Sequence, residues 1–273
     1  MLLELEDISR SFAGVPALRG ASLGVRQGEV HALVGENGAG KSTMMKIIIG
    51  SLRPDGGVVR WRGEPVHFSN PRQAAARGIA LAHQEPLLAP HLTVAENLYL
   101  GHEPGRAGGF LLRHEAVESG ARRLLAEHRL PLDSRRRAAQ LTAAERQMLE
   151  LARGLATARS LLILDEPTSS LSETETETVL RAVAGVKQRG TAVIYISHRL
   201  EEVRRVAERI TILRDGRVVH SGALAELSTP EIIRHMAGRD VALSREGPPR
   251  APGAEALRVE KLGRRGQFQD VSF

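Results

Sequence analysis

Cysteine is missing from this chain, aromatic side chains are scarce at 3%, and no apolar run approaches the roughly 20 residues that a membrane-crossing helix needs. The last absence leaves only a peripheral role at a membrane. The scarcity of rings argues against a platform on which nucleic-acid bases stack. The opening "MLLELEDISR" carries Glu4, Glu6 and Asp7 where a secretory signal would have a basic flank and a longer apolar core. With the lack of cysteine, this reads as a cytoplasmic protein. The net charge of +6 reads as a solvated basic surface. A length of 273 residues is long for one compact core and short for two, so one full domain with extra material is expected.

Backbone freedom is concentrated in one place. "LVGENGAGKSTMMKIIIG", Leu33 to Gly50, holds four glycines, two lysines and two hydroxyls. Within it Gly35-x-x-x-x-Gly40-Lys41-Ser42 fits the P-loop pattern. The backbone of Gly35, Glu36, Asn37, Gly38, Ala39 and Gly40 would turn its N–H groups toward a phosphate chain, the glycines keeping Cβ atoms out of the way. Val30 to Val34 before it suits a buried strand, and Lys41 to Ile49 after it has the pattern of a helix. The phosphates would then sit at a helix N-terminus, where unpaired N–H groups and the helix dipole favour anions. Lys41 would reach the β- and γ-phosphates, and Ser42, with Thr43 beside it, would ligate Mg²⁺.

Such a site also needs a metal-binding acid at the end of another strand. In "SLLILDEPTSSLSETE" the apolar run Leu161 to Leu164 places Asp165 at a strand's carboxyl end, where open α/β sheets put their ligands. Glu166 follows directly and is the candidate to polarise a water for attack on the γ-phosphate. Ser172 with Glu175 reads as a capping box opening the next helix. A third strand-like run, Thr191 to Ser197, ends at His198.

In this order the parts resemble the ATPase of an ATP-binding cassette (ABC) transporter, from Leu2 to about Gly238. The resemblance implies that Gln84, in "IALAHQEP", is the Q-loop residue serving metal and catalysis. It places "LTAAERQ" (Leu141 to Gln147) at the signature motif, "SSLS" at the D-loop, His198 at the switch histidine, and Phe12 where an aromatic ring stacks on adenine. Thr142 and Ala144 would approach the γ-phosphate of ATP held by an opposite cassette. Two departures stand out: Ala144 replaces a signature glycine, and Ser172 replaces the D-loop aspartate. "NPRQAAARGIALAHQEPLLAPHLTVAENLYLG" and "ISHRLEEVRRVAERITILRDG" narrow the resemblance to importers of monosaccharides such as ribose, galactose or xylose. That group implies ATP and Mg²⁺ as cofactors, transmembrane permease subunits and a second cassette as partners, an extracytoplasmic solute-binding protein acting indirectly, and a place on the cytoplasmic face of the membrane.

The expected fold is α/β, a P-loop NTPase of the ABC type, with a RecA-like core, an antiparallel β-subdomain and an inserted α-helical subdomain. Residues 1–240 form the nucleotide-binding domain, with the helical part at about 86–157. Residues 241–255, rich in Pro and Gly, read as a linker. "ALRVEKLGRRGQFQDVSF" echoes the opening "LLELEDISRSF" and then "LRGASL", so 256–273 reads as the truncated start of a second cassette. The run Arg135 to Arg137 reads as a solvated face. Two other readings share the nucleotide motifs: a soluble ABC-type ATPase acting on nucleic acid or ribosomes, and a fragment that binds ATP with little hydrolysis of its own. No sustained heptads support the first, and no nucleic-acid partner is expected.

Overall fold

The structure, a computed structural model, describes residues 1–102, 114–238, 257–266 and 268–273. The expected linker at 241–255 lies outside these residues, as does part of the helical stretch. Two compact units are present, Met1–Asp240 and Val241–Phe273.

In the first unit, β1 (Leu3–Phe12) and β2 (Val15–Val25) form a hairpin. Leu3 and Leu5 face inward, and a register shift with Asp7 at φ 51° returns Ile8 to the same buried face. β3 (Val30–Val34) is buried at every residue and leads into α1 (Lys41–Ile48), one residue shorter than its pattern predicts. β4 (Gly56–Trp61) and β5 (Glu64–Val66) complete an antiparallel sheet in the order β2-β1-β4-β5. Next come α2 (Pro71–Ala76), β6 (Ile79–Ala82), α3 (Val94–Tyr99), α4 (His114–Glu127) and α5 (Ala143–Thr157). Then β7 (Leu161–Asp165), α6 (Glu173–Gln188), β8 (Ala192–Ile196), α7 (Leu200–Val206), β9 (Arg209–Arg214), β10 (Arg217–Ala223) and α8 (Thr229–Ala237) close the unit.

The main sheet runs β10-β9-β3-β8-β7-β6. β6, β7, β8, β3 and β9 are mutually parallel, and β10 returns antiparallel on the edge. Its central strands read as unbroken apolar runs because both faces are covered. On one face Val34, Leu164, Val193 and Tyr195 pack with Leu98, Ala121, Leu149 and Val183 from α3 to α6. On the other, Leu33, Ile163 and Ile194 pack with Met44, Met45 and Ile48 of α1, which are in turn clustered with Leu3, Leu5 and Ile8 of the antiparallel sheet. The expectation of an α/β core with an antiparallel subdomain and a helical subdomain is met. With all five parallel strands running the same way, their carboxyl ends share one edge of the sheet, which is where a ligand site belongs.

The second unit holds a small hairpin, β11 (Leu262–Arg264) and β12 (Phe268–Val271). Its internal geometry repeats that of β1–β2. Leu5 pairs with Leu23, and Val259 exchanges both backbone hydrogen bonds with Phe273 at 2.7 and 3.0 Å. Ile8 pairs with Ala21, as Leu262 does with Val271. The Asp7 N–H donates to Ser22 Oγ at 3.0 Å, and the Lys261 N–H donates to Ser272 Oγ at 2.9 Å. Asp7 and Lys261 both take left-handed backbone, at φ 51° and 49°.

Candidate functional site

The loop after β3 is shaped by its own lysine. Lys41 Nζ donates to the carbonyls of Gly35 (2.8 Å) and Glu36 (3.0 Å), folding residues 35–40 around the ammonium. Gly40, the residue before α1, sits at φ 106°. A Cβ there would lie 2.6 Å from the Ala17 carbonyl oxygen and 2.8 Å from Leu18 Cδ2, so only glycine fits. Gly38, at φ 83°, has open space where a Cβ would stand. The backbone N–H groups of Gly38, Gly40, Lys41, Ser42 and Thr43 find no acceptor among the described residues. Five donors at a helix start suit a chain of phosphate oxygens.

The facing wall comes from the other strand ends. β7 ends on Asp165, whose carboxyl is raised above its ordinary range, first by burial and then by the neighbouring Glu166, against the opposing pull of Lys41 and His83. The Lys41 ammonium is pushed down by burial, and the same two carboxylates oppose that shift. Glu166 occupies left-handed backbone at φ 47°, and its N–H donates to the Ile196 carbonyl at 2.9 Å. Such strain in a non-glycine residue costs on the order of 1–3 kcal/mol and persists only where the surroundings enforce it. Here it turns the Glu166 carboxylate between two partners. Gln84 Nε2 donates to one oxygen at 3.1 Å, and His198 Nδ1 lies 3.2 Å from the other.

These residues line one cleft of about 910 Å³. Gly35, Glu36, Asn37, Gly38, Gly40, Lys41, Ser42, Thr43, Gln84, Asp165, Glu166 and His198 all face it, joined by Ala17 from β2 and Met236 from α8. Four other predicted site residues do not. Ala39 is buried beneath the loop, its N–H donating to the Glu36 carbonyl. Phe12 ends β1 half exposed, with the Arg10 guanidinium 5.2 Å from its ring centre. Thr142 and Ala144 stand at the start of α5. Met236 carried no signal in the sequence, since only the packing of α8 brings it to the cleft.

Thr142 is exposed and caps α5. Its Oγ1 accepts from the Glu145 N–H at 3.2 Å, while Glu145 Oε2 accepts the Thr142 N–H at 2.8 Å. Ala144 is half buried against the core. The arginine run before this turn is not simply solvated. Arg136 pairs with Glu145 at 2.5 Å and donates to the Gln140 carbonyl at 2.7 Å, and Arg135 pairs with Glu118 at 2.5 Å. Carboxylates on α5 (Glu145) and α4 (Glu118) supply partners that a reading along the chain did not see.

For a metal, the expected donors Ser42, Asp165 and Gln84 all stand on the cleft wall. Among the described residues no cluster of three or more His, Cys, Asp or Glu could hold an ion alone. One carboxylate, a hydroxyl and an amide oxygen are hard oxygen donors, of the kind that would share Mg²⁺ with substrate phosphates. No helix among the described residues is long and apolar enough to cross a membrane.

Fold and cleft define a P-loop nucleotide-binding domain. The ABC transporter family model matches residues 18–169, and the chain belongs to that family, with the fold of an ABC ATPase cassette. It is 41% identical over 272 residues to the ribose import ATP-binding protein RbsA of Rhodococcus jostii, covering all of this chain and 54% of that protein. A putative ribose/galactose/methyl galactoside import ATP-binding protein of Agrobacterium fabrum is 44% identical over 276 residues, with the same coverage. The chain thus spans about half the length of these relatives. Among solved structures, the dimeric post-hydrolysis state of the cassette MJ0796 bound to ADP and Pi matches with a TM-score of 0.72 and 25% identity, covering 81% of this chain and 98% of that one.

Proposed function

We propose that this chain binds ATP with Mg²⁺ in the cleft and hydrolyses it, as the first of two cassettes that energise import of ribose or a related monosaccharide through a membrane permease. The observation that carries the reading is the Glu166 carboxylate, gripped by Gln84 and His198 on the wall opposite the P-loop donors. The free N–H groups of Gly38, Gly40, Lys41, Ser42 and Thr43 hold the phosphates, and Lys41 neutralises their charge. Ser42, Asp165 and Gln84 would hold the metal, which when bound would supply positive charge to offset the negative charge of the phosphates. Glu166 accepts the proton of the attacking water. His198 and Gln84 keep its two oxygens aimed at that position, a role worth typically about 10²–10⁴-fold. Phe12, on β1 beside the loop between β1 and β2, is assigned to the adenine, and Ala39 supports the phosphate loop from beneath.

Thr142 and Ala144 do not line this cleft and serve a nucleotide on a second cassette. The dimeric assembly of the similar solved cassette supports that reading. The second cassette belongs to the same polypeptide, beginning near residue 256 after the linker at 241–255. The support is the echo of the opening sequence, with the same pairing, side-chain hydrogen bond and backbone twist in its hairpin. The names of the two relatives, import ATP-binding proteins for ribose and for ribose, galactose or methyl galactoside, support a sugar as cargo. Import in turn calls for a permease, an extracytoplasmic binding protein acting indirectly, and attachment at the cytoplasmic face, where ATP is supplied. The test is uptake of labelled ribose, galactose and xylose into vesicles carrying the cognate permease and the tandem protein. ATP-dependent uptake of one sugar, abolished by Lys41→Ala, is expected. Uptake that ignores that substitution, or ATP turnover stimulated by DNA or ribosomes instead, overturns the reading.

A further inference from the structure

One buried carboxylate near the cleft has no part in the account so far. Glu202, in the first turn of α7, is 5% exposed. A carboxylate so placed must be fully paired, because an unpaired buried charge is strongly unfavourable. Four donors surround it. Oε2 accepts from Thr168 Oγ1 at 2.7 Å, from the Tyr195 hydroxyl at 2.8 Å and from Ser197 Oγ at 3.4 Å. Oε1 accepts from the Arg199 guanidinium at 3.0 Å. Burial, then the Glu202 charge, pushes the Tyr195 phenol above its ordinary range, so it remains a donor.

The placement of these donors carries the argument. Thr168 lies two residues past Glu166, while Ser197 and Arg199 bracket His198. The Arg199 N–H also donates to Ser197 Oγ at 3.0 Å, closing the turn around the histidine. Glu202 therefore ties the segment bearing Glu166 to the segment bearing His198. The β7–β8 ladder, with Asp165 beside Ile196, and the bond from the Glu166 N–H to the Ile196 carbonyl join the strands themselves, while Glu202 joins the turns that follow them. His198 itself is largely exposed, with Glu166 as its polar partner, so its own surroundings do little to hold it. From this juxtaposition we infer that Glu202 is a positioning residue, which holds His198 against Glu166 for hydrolysis. The inference rests on the catalytic reading of the cleft given above.

The test is single-turnover ATP hydrolysis by the 273-residue chain in excess over ATP, with ATP affinity measured in parallel. Glu202→Gln keeps the shape but replaces one acceptor oxygen with a donor, so the cluster around His198 loses its closure. The rate should fall about 10–10²-fold, the order that a misplacement of about 1 Å produces, with affinity within about twofold of wild type. In a His198→Ala background the same substitution should add little, since residues acting as one unit are not additive. Ser197→Ala, which cuts one link to the turn and leaves Glu202 three donors, provides the check if Glu202→Gln fails to fold. It should lower the rate without moving affinity. A wild-type rate in either variant, equal loss in rate and affinity, or a full further loss on top of His198→Ala overturns the positioning role. If Glu166→Gln leaves the rate untouched, the catalytic reading has failed instead, and this inference falls with it.

Discussion

At the cleft, Gln84, Asp165, Glu166 and His198 stand at or just past strand ends and Lys41, Ser42 and Thr43 open the helix after another strand, and these strands begin at residues 79, 161, 192 and 30, far apart in the chain. At the start of α5 the polar residues are held by neighbours: Thr142 by Glu145, and Glu145 by Arg136. The first kind of order is a property of the whole core, while the second is a local cap worth about 1 kcal/mol. The difference teaches how work is divided in this domain. Residues that must meet within one chain are fixed by the sheet, and those assigned to a partner's nucleotide are set at a helix end held by a local cap.

Substitutions can break this contrast, and the largest effect falls on the cleft. Glu166→Gln keeps the grip of Gln84 on one oxygen but cannot take a proton, so turnover should drop by about 10²-fold or more while calorimetry finds ATP binding retained. Gly40→Ala forces a Cβ to within 2.6 Å of the Ala17 carbonyl at a positive φ. It should destabilise the domain by about 2–4 kcal/mol, lowering Tm by roughly 5–15 °C in a thermal scan. Glu145→Ala removes the side-chain half of the capping box, the acceptor of the Thr142 N–H, together with the Arg136 pair. About 1 kcal/mol and a few degrees of Tm should be lost, with ATP affinity unchanged in a titration.

The smallest effect is one of pH. The Arg136 guanidinium, then the Thr142 N–H, hold the Glu145 carboxyl below its ordinary value of 4.5. Its contribution is therefore full above pH 4.5 and is lost as the pH falls through the lower folded value. Between pH 6 and pH 4 the difference in Tm between wild type and Glu145→Ala should shrink. A difference that grows on acidification contradicts the assignment.

The cleft was legible in the sequence because its chemistry is written in short, ordered stretches. Gly35 to Thr43 fixes a strand, a loop and a helix at once, and the apolar runs before Asp165 and His198 fix two more strand ends. The α5 cap was less legible. Arg136 sits in a basic run that looks solvated, and nothing nearby in sequence announces Glu145 as its partner nine residues on. The Glu202 cluster was invisible, since Thr168 and Glu202 are 34 residues apart and meet only once β7, β8 and α7 are packed. Phe12 marks the opposite limit: the position is readable, yet the side chain stands outside the cleft-lining residues.

The central claim is that the cleft is a nucleotide site complete for binding within this chain, whereas the start of α5 belongs to a different nucleotide. Calorimetric titration of ATP with Mg²⁺ into the wild-type chain, Lys41→Ala and Thr142→Ala tests it directly. Removing the ammonium should weaken binding by about 10²-fold, the order expected from losing charge-assisted hydrogen bonds of about 1.5–3 kcal/mol each. Thr142→Ala should bind as wild type does. Equal affinity for Lys41→Ala and wild type, or a loss in Thr142→Ala as large as that in Lys41→Ala, would contradict the account.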